Sequence, residues 1–219
     1  MSMNIKFLTE QETDEFYEVL RNDTSSYGTR NRAIFHIAKY CALRVSEIGM
    51  LKFENYDSKR AEIHCERKKG SNSNTIRILD YEVKKCLDFH ICERENMDFN
   101  SPYIFLSREG NPISRKTLDC KFKKYCRKTS IPREKQHFHV LKHTRAIELA
   151  NLGVDIKEIQ WWLGHKNINN TLIYLQFTTK QQNRLYEYLE RNMYEEKNIK
   201  AQERDNDLPY KKTYGRLFS

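Results

Sequence analysis

The feature that limits the fold most is the confinement of strand-like alternation to a short middle part of the chain. Apolar and polar residues alternate over residues 61–65 and 75–79, and the stretch 69–74 between them is rich in turn formers. Such a pair of runs predicts a β-hairpin. Residues 103–107, the Gly110-Asn111-Pro112 turn and Ile113 predict a third strand or a short hairpin element. Because the remainder has helical periodicity, the sequence predicts a mainly α fold with one small antiparallel sheet, of the α+β class.

Helical signals fill the chain on both sides of the hairpin. Thr9 followed by Glu12 is a capping box, which predicts a first helix over residues 9–21. A second helix is predicted to end near Leu43, and Ser46 can cap a short third helix that reaches residue 51. Past the hairpin, helices are predicted around residues 83–91, 114–125, 138–152, 155–163, 171–176 and 179–198.

The composition is typical of a globular protein with a heavily charged surface. Hydrophobic residues make up 38 % of the 219 and charged residues 32 %, and the apolar runs are too short to span a bilayer. The N-terminus has no apolar core followed by a small-residue cleavage site, which predicts a cytoplasmic protein. Six cysteines without a C-x-x-C pair predict reduced, mostly buried thiols and no disulfide framework or zinc site.

The net charge of +9 narrows the choice of partner. A basic excess of this size favours a polyanion, and nucleic acid comes first. A basic protein that merely stays soluble would carry the same charge, so composition leaves both interpretations open. The choice between them depends on motifs.

Four short motifs bear on that choice. Arg44 stands in Leu-Arg-Val-Ser-Glu-Ile, and His139 and Lys142 stand three apart in His-Val-Leu-Lys-His-Thr. His165 follows Leu-Gly, and Tyr174 comes nine residues later at the end of Thr-Leu-Ile-Tyr. In this order and at these spacings, the chain resembles the catalytic domain of the tyrosine recombinase/integrase family. The layout is most similar to the stand-alone members, such as the fimbrial-switch invertases.

The resemblance implies a site-specific DNA recombinase that uses Tyr174 as its nucleophile. Attack on a phosphodiester would leave a 3′-phosphotyrosine and a free 5′-hydroxyl. Because the ester keeps the energy of the broken bond, rejoining would need neither a metal nor a nucleotide cofactor. Among thirteen tyrosines, most are expected to be packing or surface residues, and the position after His165 selects this one.

Fixed cations would have to meet the negative charge that develops on the phosphate. The resemblance gives this task to Arg44 and Lys142, and it gives proton transfer with the tyrosine hydroxyl to His139. The family has arginine in place of Lys142. Lysine keeps the charge but loses the bidentate fork. Arg145, three residues further along the same helix face, is the alternative source of a guanidinium.

The remaining candidates are a lysine in the hairpin turn and a histidine at a helix end. Lys69 matches the family position for the general acid that protonates the departing 5′ oxygen, with Lys68 as the fallback. A turn lysine that only touches the DNA backbone fits the sequence as well. His165 is implied to hydrogen-bond the scissile phosphate. No carboxylate cluster accompanies the pair His139 and His143, so no metal site is predicted.

The family pattern also implies how the chain is organised. Residues 1–195 are predicted to form the catalytic domain and residues 196–219 a polar C-terminal tail. Double-stranded DNA is the implied partner, bound by a homotetramer that joins two DNA sites. The amphipathic helix predicted at residues 179–198 could be donated to a neighbouring subunit or could pack on its own domain, and the sequence leaves this open.

Other functions remain compatible with these motifs. A DNA-binding relative that has lost efficient cleavage would act as a regulator or accessory subunit, and Lys142 keeps that hypothesis open. A helical nucleic-acid-binding module whose motifs match by chance would show no dependence on Tyr174. A type IB topoisomerase shares the tyrosine chemistry, but it would relax supercoils as a monomer and would not exchange strands at a defined site.

Overall fold

The computed structural model describes residues 5–68, 70–97, 99–177 and 186–194. The chain divides after Thr178 into two units. In chain order, the first unit contains α1 (Glu10–Arg21), α2 (Gly28–Tyr40), α3 (Val45–Ile48), β1 (Tyr56–Asp57), β2 (Glu62–Cys65), β3 (Asn74–Arg77), α4 (Tyr81–Glu95), α5 (Arg115–Cys126), α6 (Val140–Asn151), α7 (Ile156–Leu163) and α8 (Asn169–Leu172). Short 3₁₀ helices occupy Phe53–Asn55, Arg133–Lys135 and Ile173–Phe177.

In the second unit, residues 186–194 are helical. They lie within the helix predicted at 179–198, whose other residues are outside the described part of the chain. The predicted tail at 196–219 lies outside it too.

The prediction of a mainly α fold with a small antiparallel sheet is confirmed. The strands run in the order β1-β2-β3, with both pairs antiparallel. Ile63 in the central strand lies opposite Tyr56 on one side and Ile76 on the other. Both isoleucines are fully buried, so the alternation seen in the sequence places one face of the hairpin against the helices.

The β element predicted at residues 103–113 takes the form of a short hairpin, with an antiparallel bridge between Leu106 and Pro112. Residues 103–107 form no strand of the sheet, whose third strand is β1, which the sequence did not predict. The backbone near Tyr103 changes partners after each residue or two: Ile104 donates to the Leu51 carbonyl, and the Phe105 carbonyl accepts from Ile113. Bridges to two different segments satisfy these backbone groups without a ladder, so alternation alone could not separate this stretch from a strand.

Helix ends follow the signals in the sequence closely. Thr9 and Glu12 form the predicted capping box of α1, and Asp155 and Glu158 form a second one at α7. The Ser114 hydroxyl accepts from the backbone of Thr117 and caps α5. Such caps satisfy the first backbone N–H groups of a helix, which have no partner inside it.

Several boundaries differ from the sequence prediction. α2 ends at Tyr40, before the predicted end near Leu43, and α3 has Arg44 at its N-cap and not Ser46. The Glu47 carboxylate accepts from the Arg44 backbone N–H and takes the place of a serine cap. α6 begins at Val140, which puts His139 at its N-cap. Phe89 on α4 is exposed, because the buried side of this helix is formed by Val83, Leu87, His90 and Arg94.

α2 lies in the middle of the first unit and packs against α1, α4 and α6. A group of aromatic rings fills the space beside it, formed by Phe16, Phe35, Phe122 and Phe138. A second, smaller core cluster lies between α6 and α7 and includes Tyr174. The predicted nucleophile is therefore part of the packed interior.

The sequence predicted reduced and mostly buried thiols, and the structure agrees in part. All six thiols are free, but only Cys41, Cys65 and Cys126 are buried. Among the described residues, no helix is both long and apolar enough to cross a membrane.

The close approach of the hairpin to the end of α7 gives a test of the fold. Gly164 has φ +65, and a Cβ there would lie 2.7 Å from the Asn72 carbonyl oxygen. Gly70 also has positive φ, at +89, but a Cβ there would meet nothing within 4 Å. We expect Gly70→Ala to cost about 1–2 kcal/mol from the left-handed conformation alone. Gly164→Ala should cost about 1–3 kcal/mol more, because the hairpin backbone has to move.

Urea denaturation of both variants, with the parent protein alongside, measures the difference. Equal losses of unfolding free energy for the two alanines would show that the contact between Gly164 and Asn72 is not a constraint.

Candidate active site

Four parts of the first unit meet around Tyr174: the loop that follows α2, the β2–β3 hairpin, α6, and the segment from the end of α7 to Phe177. The residues of the sequence motifs come from these parts. Each part contributes at least one titratable or charged side chain to the surroundings of the tyrosine.

Tyr174 is held inside the protein by a histidine. Its side chain is 1 % exposed, and its hydroxyl oxygen lies 2.8 Å from Nδ1 of His143. Burial raises the pKa of the Tyr174 hydroxyl well above its ordinary value. Burial also lowers the pKa of His143 to about 3, with nearby His139 and His137 acting in the same direction. Both groups are therefore neutral near neutral pH, and the hydroxyl can donate to an unprotonated Nδ1.

His139 lies on the other side of His143. The two rings meet edge to face with their centres 4.5 Å apart. Burial, followed by the positive charges of Lys142 and Arg44, lowers the pKa of His139 to about 4. A neutral imidazole of this kind has no proton to supply as a cation, and its low pKa makes it a weak base in the absence of DNA.

Arg44 and His139 line the same cavity, of about 350 Å³. The Arg44 side chain is 31 % exposed and forms an ion pair of 2.8 Å with Glu47. Arg115 and Lys123 on α5 also line the cavity. It therefore offers three cations and two imidazoles, against the one carboxylate of Asp119, to an anion that enters from solvent.

Lys142 occupies a different environment from the one that its predicted role suggests. It is 1 % exposed, and its Nζ donates to the carbonyls of Ala42, at 3.1 Å, and Leu163, at 2.6 Å. Burial, reinforced by Arg67 and Arg44, lowers its pKa well below the ordinary value. In this structure Lys142 ties the loop after α2 to the end of α7. A contact with phosphate stays a prediction.

Sequence reasoning missed Arg67, another buried cation of the site. Its side chain has 0 % exposure and lies 3.2 Å from Glu47. It also donates to the carbonyls of Cys41, Ala42 and Trp162. Arg67 sits next to the turn with Lys68 and Lys69, and in the sequence it cannot be distinguished from a solvated turn residue.

Glu47 is the acidic partner of both arginines. Burial pushes the pKa of its carboxyl up, but the backbone N–H of Arg44 and the guanidinium of Arg67 outweigh this, so the net shift is downward. Glu47 is therefore a carboxylate, and it holds Arg44 through one oxygen and Arg67 through the other. The motif around Arg44 contained this residue, but no role was predicted for it.

His165 joins the hairpin to the site. Its Nδ1 lies 3.0 Å from the Thr171 hydroxyl, and its backbone forms a bridge with Ser71 in the turn. Burial, then Lys142 and Arg44, lower its pKa to about 3. Lys69 lies outside the described residues, so its predicted role stays a prediction. Its neighbour Lys68 is described, and the backbone N–H of Lys68 lies 3.4 Å from Glu47.

Arg145 was the alternative source of a guanidinium, and the pair of His139 and His143 was predicted not to bind a metal. The Arg145 guanidinium lies over the rings of Tyr40 and Trp162, at 4.7 and 4.9 Å from their centres, so its contacts are those of a packing residue. The group of His, Glu and Cys ligand atoms that come within 4.8 Å of one another, in the described part of the chain, is His36 with Glu82 and Cys86 on α2 and α4. The histidines around Tyr174 are not part of it.

The structure thus brings Arg44, His139, Lys142, His165 and Tyr174 into one neighbourhood, together with Arg67, Glu47 and His143. The arrangement has a hydroxyl paired with a neutral imidazole, and it has cations beside a cavity open to solvent. These are the parts needed to attack a phosphate ester with a side-chain oxygen.

Comparisons with known proteins agree with this chemistry. A model of the phage integrase family matches residues 6–181 of the chain. The type 1 fimbriae regulatory protein FimB of Escherichia coli K12 is 30 % identical over 168 residues, which are 77 % of this chain and 82 % of that protein. The tyrosine recombinase XerA of Pyrococcus furiosus is 35 % identical over 181 residues, which are 80 % of this chain and 58 % of that protein.

Solved structures share the fold. The crystal structure of XerA recombinase superposes with a TM-score of 0.72 at 26 % identity, covering 86 % of this chain and 65 % of that one. XerH site-specific recombinase bound to palindromic difH substrate superposes with a TM-score of 0.72 at 21 % identity, covering 85 % and 54 %. The chain corresponds to little more than half of the longer recombinases and to most of FimB.

The buried ion pair between Arg67 and Glu47 gives a prediction about stability. Arg67→Met leaves the Glu47 carboxylate without its buried partner, and we expect a loss of about 3–5 kcal/mol in unfolding free energy. Arg77→Met breaks the exposed pair between Arg77 and Glu62 and should cost about 0–1 kcal/mol. Urea denaturation checks both. Similar losses for the two variants would mean that Arg67 does not hold the site together.

The low pKa of His143 gives a prediction about pH. Burial lowers this pKa from an ordinary 6.5 to about 3, so between these values the unfolded chain binds a proton that the folded chain does not. Stability should therefore fall as the pH falls through this window. His143→Asn should reduce the slope of unfolding free energy against pH there. The other histidines with lowered pKa values should contribute to the remaining slope; they are His36, His90, His137, His139 and His165. A slope identical to that of the parent protein would contradict the assignment.

Proposed function

The chain belongs to the phage integrase family, and we propose that it is a site-specific DNA recombinase that cuts and rejoins double-stranded DNA through a 3′-phosphotyrosine at Tyr174. The observation that carries this proposal is the position of the Tyr174 hydroxyl. It is bonded to the neutral imidazole of His143, in the same neighbourhood as Arg44 and His139, which line a cationic cavity. The family match over residues 6–181 includes every residue of this group.

In the proposed reaction, the Tyr174 oxygen attacks the scissile phosphorus, and the bond from phosphorus to the 5′ oxygen breaks. The tyrosine proton passes to the imidazole pair of His143 and His139. A proton from Lys69 goes to the departing 5′ oxygen, so that a 5′-hydroxyl leaves and not an alkoxide. Rejoining reverses these steps with a 5′-hydroxyl of the partner strand. The phosphotyrosine ester conserves the bond energy, so the scheme includes no nucleotide cofactor and no metal.

The cations would act on the phosphate in unequal ways. Among Arg44, Arg67 and Lys142, Arg44 has the most exposed side chain, and its guanidinium can bond two phosphate oxygens at once. His165 would add a hydrogen bond. Backbone carbonyls take two of the three donors of the Lys142 ammonium, so in the resting state Lys142 positions the loop that carries Arg44 and has one donor left for a phosphate.

DNA beyond the scissile phosphate would lie along a basic face of the first unit. The cavity with Arg44 also contains Lys123, and a second cavity of about 650 Å³ is lined by Lys123, Arg127 and Arg133. Since the two cavities share Lys123, they form a continuous cationic path. Such a path attracts a phosphate backbone without reading its sequence.

Assembly and location complete the proposal. Residues 1–195 form the catalytic domain, with 196–219 as a C-terminal tail. A homotetramer joins two DNA sites, with the helix that includes residues 186–194 as the element passed between subunits. A recombinase of mobile or chromosomal DNA works in the cytoplasm, where that DNA is found.

A second candidate function is a DNA-binding regulator that cleaves poorly or not at all. Two observations favour it. Tyr174 is almost completely buried, and the Lys142 Nζ is engaged by two backbone carbonyls. A protein with both features in its DNA-bound state would bind a site without attacking it.

The first prediction about activity concerns a covalent intermediate. The protein is incubated with nicked suicide duplexes that cover the DNA on both sides of the gene that encodes it. A covalent protein–DNA adduct should appear as a band that survives SDS and maps to the Tyr174 peptide. Tyr174→Phe should remove this band, because the ring without its oxygen has no nucleophile. Tyr186→Phe is the matched control, since this ring is 62 % exposed, and it should leave the band unchanged. Arg44→Ala should slow adduct formation by about 10²–10³-fold.

Other results would change the conclusion. Site-specific binding without an adduct, in both the parent protein and Lys142→Arg, would favour the regulator. An adduct that persists in Tyr174→Phe would assign the nucleophile to another residue. Relaxation of supercoils by the monomer without strand exchange would indicate topoisomerase activity.

A further inference from the structure

Apart from the cavity of Arg44 and His139, another cavity lies where α2 begins and α4 ends. It has a volume of about 210 Å³, and its lining includes Arg30, His90, Arg94, Phe99 and Leu106. None of its lining residues belongs to the cavity of Arg44 and His139. Arg30 is in the first turn of α2, and the ten residues from there to the end of that helix span about 15 Å. The two cavities are therefore separate sites, and a ligand in the second one does not depend on the proposed recombinase activity.

Three side chains of this cavity combine deep burial with unpaired polar atoms. Arg30 is 8 % exposed, His90 1 % and Arg94 2 %. Within the described ranges, four buried side-chain nitrogens or oxygens lack a hydrogen-bond partner, and three of them are Nε of Arg30, Nδ1 of His90 and Nε of Arg94. Buried polar groups almost always find partners, so such a concentration in one cavity indicates a missing ligand.

The two guanidiniums also lack a counter-charge. No carboxylate among the described residues lies within ion-pair distance of Arg30 or Arg94. Their other donors are bonded to neutral oxygens: Arg30 to the Leu106 carbonyl at 2.6 Å, and Arg94 to the Ser101 carbonyl at 3.1 Å. Buried cations without an anion are costly, which favours an anionic ligand.

The histidine makes the requirement more specific. Nε2 of His90 lies 3.1 Å from the Ile104 carbonyl oxygen, which can only accept, so Nε2 carries the ring proton. Burial, with the charges of Arg30 and Arg94, lowers the pKa of His90 to about 4, and the Ile104 bond offsets only part of this shift. The ring is therefore neutral near neutral pH, and its unpaired Nδ1 is an acceptor. Three residues that line the cavity therefore have two unpaired N–H donors and one unpaired lone pair.

We propose that this cavity binds a hydrogen phosphate group. Its ionised oxygens accept from Nε of Arg30 and Nε of Arg94, while its P–OH donates to Nδ1 of His90. A carboxylate, a sulfate or a phosphodiester offers the oxygens but has no hydroxyl for the imidazole. The volume is below the roughly 300–1,000 Å³ of sites for drug-sized molecules. It therefore suits inorganic phosphate or the phosphate end of a small phosphomonoester.

The remaining charges of the lining are compatible with an anion. Arg108 and Glu93 also line the cavity. With Arg30 and Arg94 they give three guanidiniums against one carboxylate, an excess of positive charge. The Tyr27 ring packs under the Arg30 guanidinium at 4.4 Å and holds it in place. A rigid cation of this kind loses little conformational freedom when it binds.

The test uses the imidazole as a local reporter. Long-range ¹H–¹⁵N spectra of the histidine rings in the whole protein are recorded near neutral pH and constant ionic strength, with the His90 signals assigned by His90→Gln. Inorganic phosphate should shift the His90 Nδ1 signal in a saturable way, with an affinity at least about tenfold above that for sulfate. Methyl phosphate should match phosphate if the ligand is a phosphomonoester, and bind more weakly if it is the free ion. Dimethyl phosphate, which has no hydroxyl, should behave like sulfate.

Variants separate this cavity from the active site. Arg94→Met should lower the affinity for phosphate at least about tenfold, because one of the two Nε donors is removed. Arg44→Ala is the control and should leave the His90 response unchanged. If Arg94→Met does not fold, the comparison of phosphate with sulfate on the unaltered protein decides. A His90 signal that ignores phosphate, equal responses to phosphate and sulfate, or a response lost in Arg44→Ala would each overturn the proposal.

Discussion

The active-site region depends on one buried guanidinium and the oxygens that surround it. Arg67 comes from the β2–β3 hairpin, and it donates to Glu47 and to the carbonyls of Cys41, Ala42 and Trp162. A guanidinium in the interior is tolerated only while its donors are satisfied, so these oxygens cannot move independently. They belong to the loop after α2, to α3 and to α7. A single side chain therefore fixes the relative positions of the loop and helix that carry Arg44 and of the helix that precedes His165.

Ala42 shows how this constraint reaches the residue that meets solvent. It has φ +50, a conformation that is unfavourable for a side chain with a Cβ, and its carbonyl accepts from both Arg67 and Lys142. Two buried cations thus hold a strained turn, and the chain leaves that turn directly into Leu43 and Arg44. Glu47 holds Arg44 from the other side. Arg67 and Lys142 hold the backbone of this turn, and the turn places the partly exposed Arg44 beside its cavity.

Sequence predicted the parts of the molecule that depend on local signals or on ordered motifs. The caps of α1, α5 and α7 follow from neighbouring residues, and the ordered motifs named residues that lie close together in the fold, among them Tyr174 and His139. The rest depends on contacts between distant segments. His143 was considered only as a metal ligand, because nothing near it in sequence shows that Tyr174 lies against it. β1 is two residues long, too short for any periodicity, and it exists because the hairpin offers it a free edge.

The lysine at position 142 fits these constraints better than a guanidinium would. Its Nζ meets two carbonyl oxygens, and one of them, that of Ala42, is already shared with Arg67. A guanidinium has five N–H donors and would leave several unpaired in this buried place unless a phosphate supplied further acceptors. Burial beside Arg67 and Arg44 also lowers the pKa of Lys142, which favours its neutral amine. A lysine in place of an arginine at position 142 therefore stabilises the site in the absence of DNA. In the proposed reaction, Arg44 would then have to meet more of the negative charge of the phosphate.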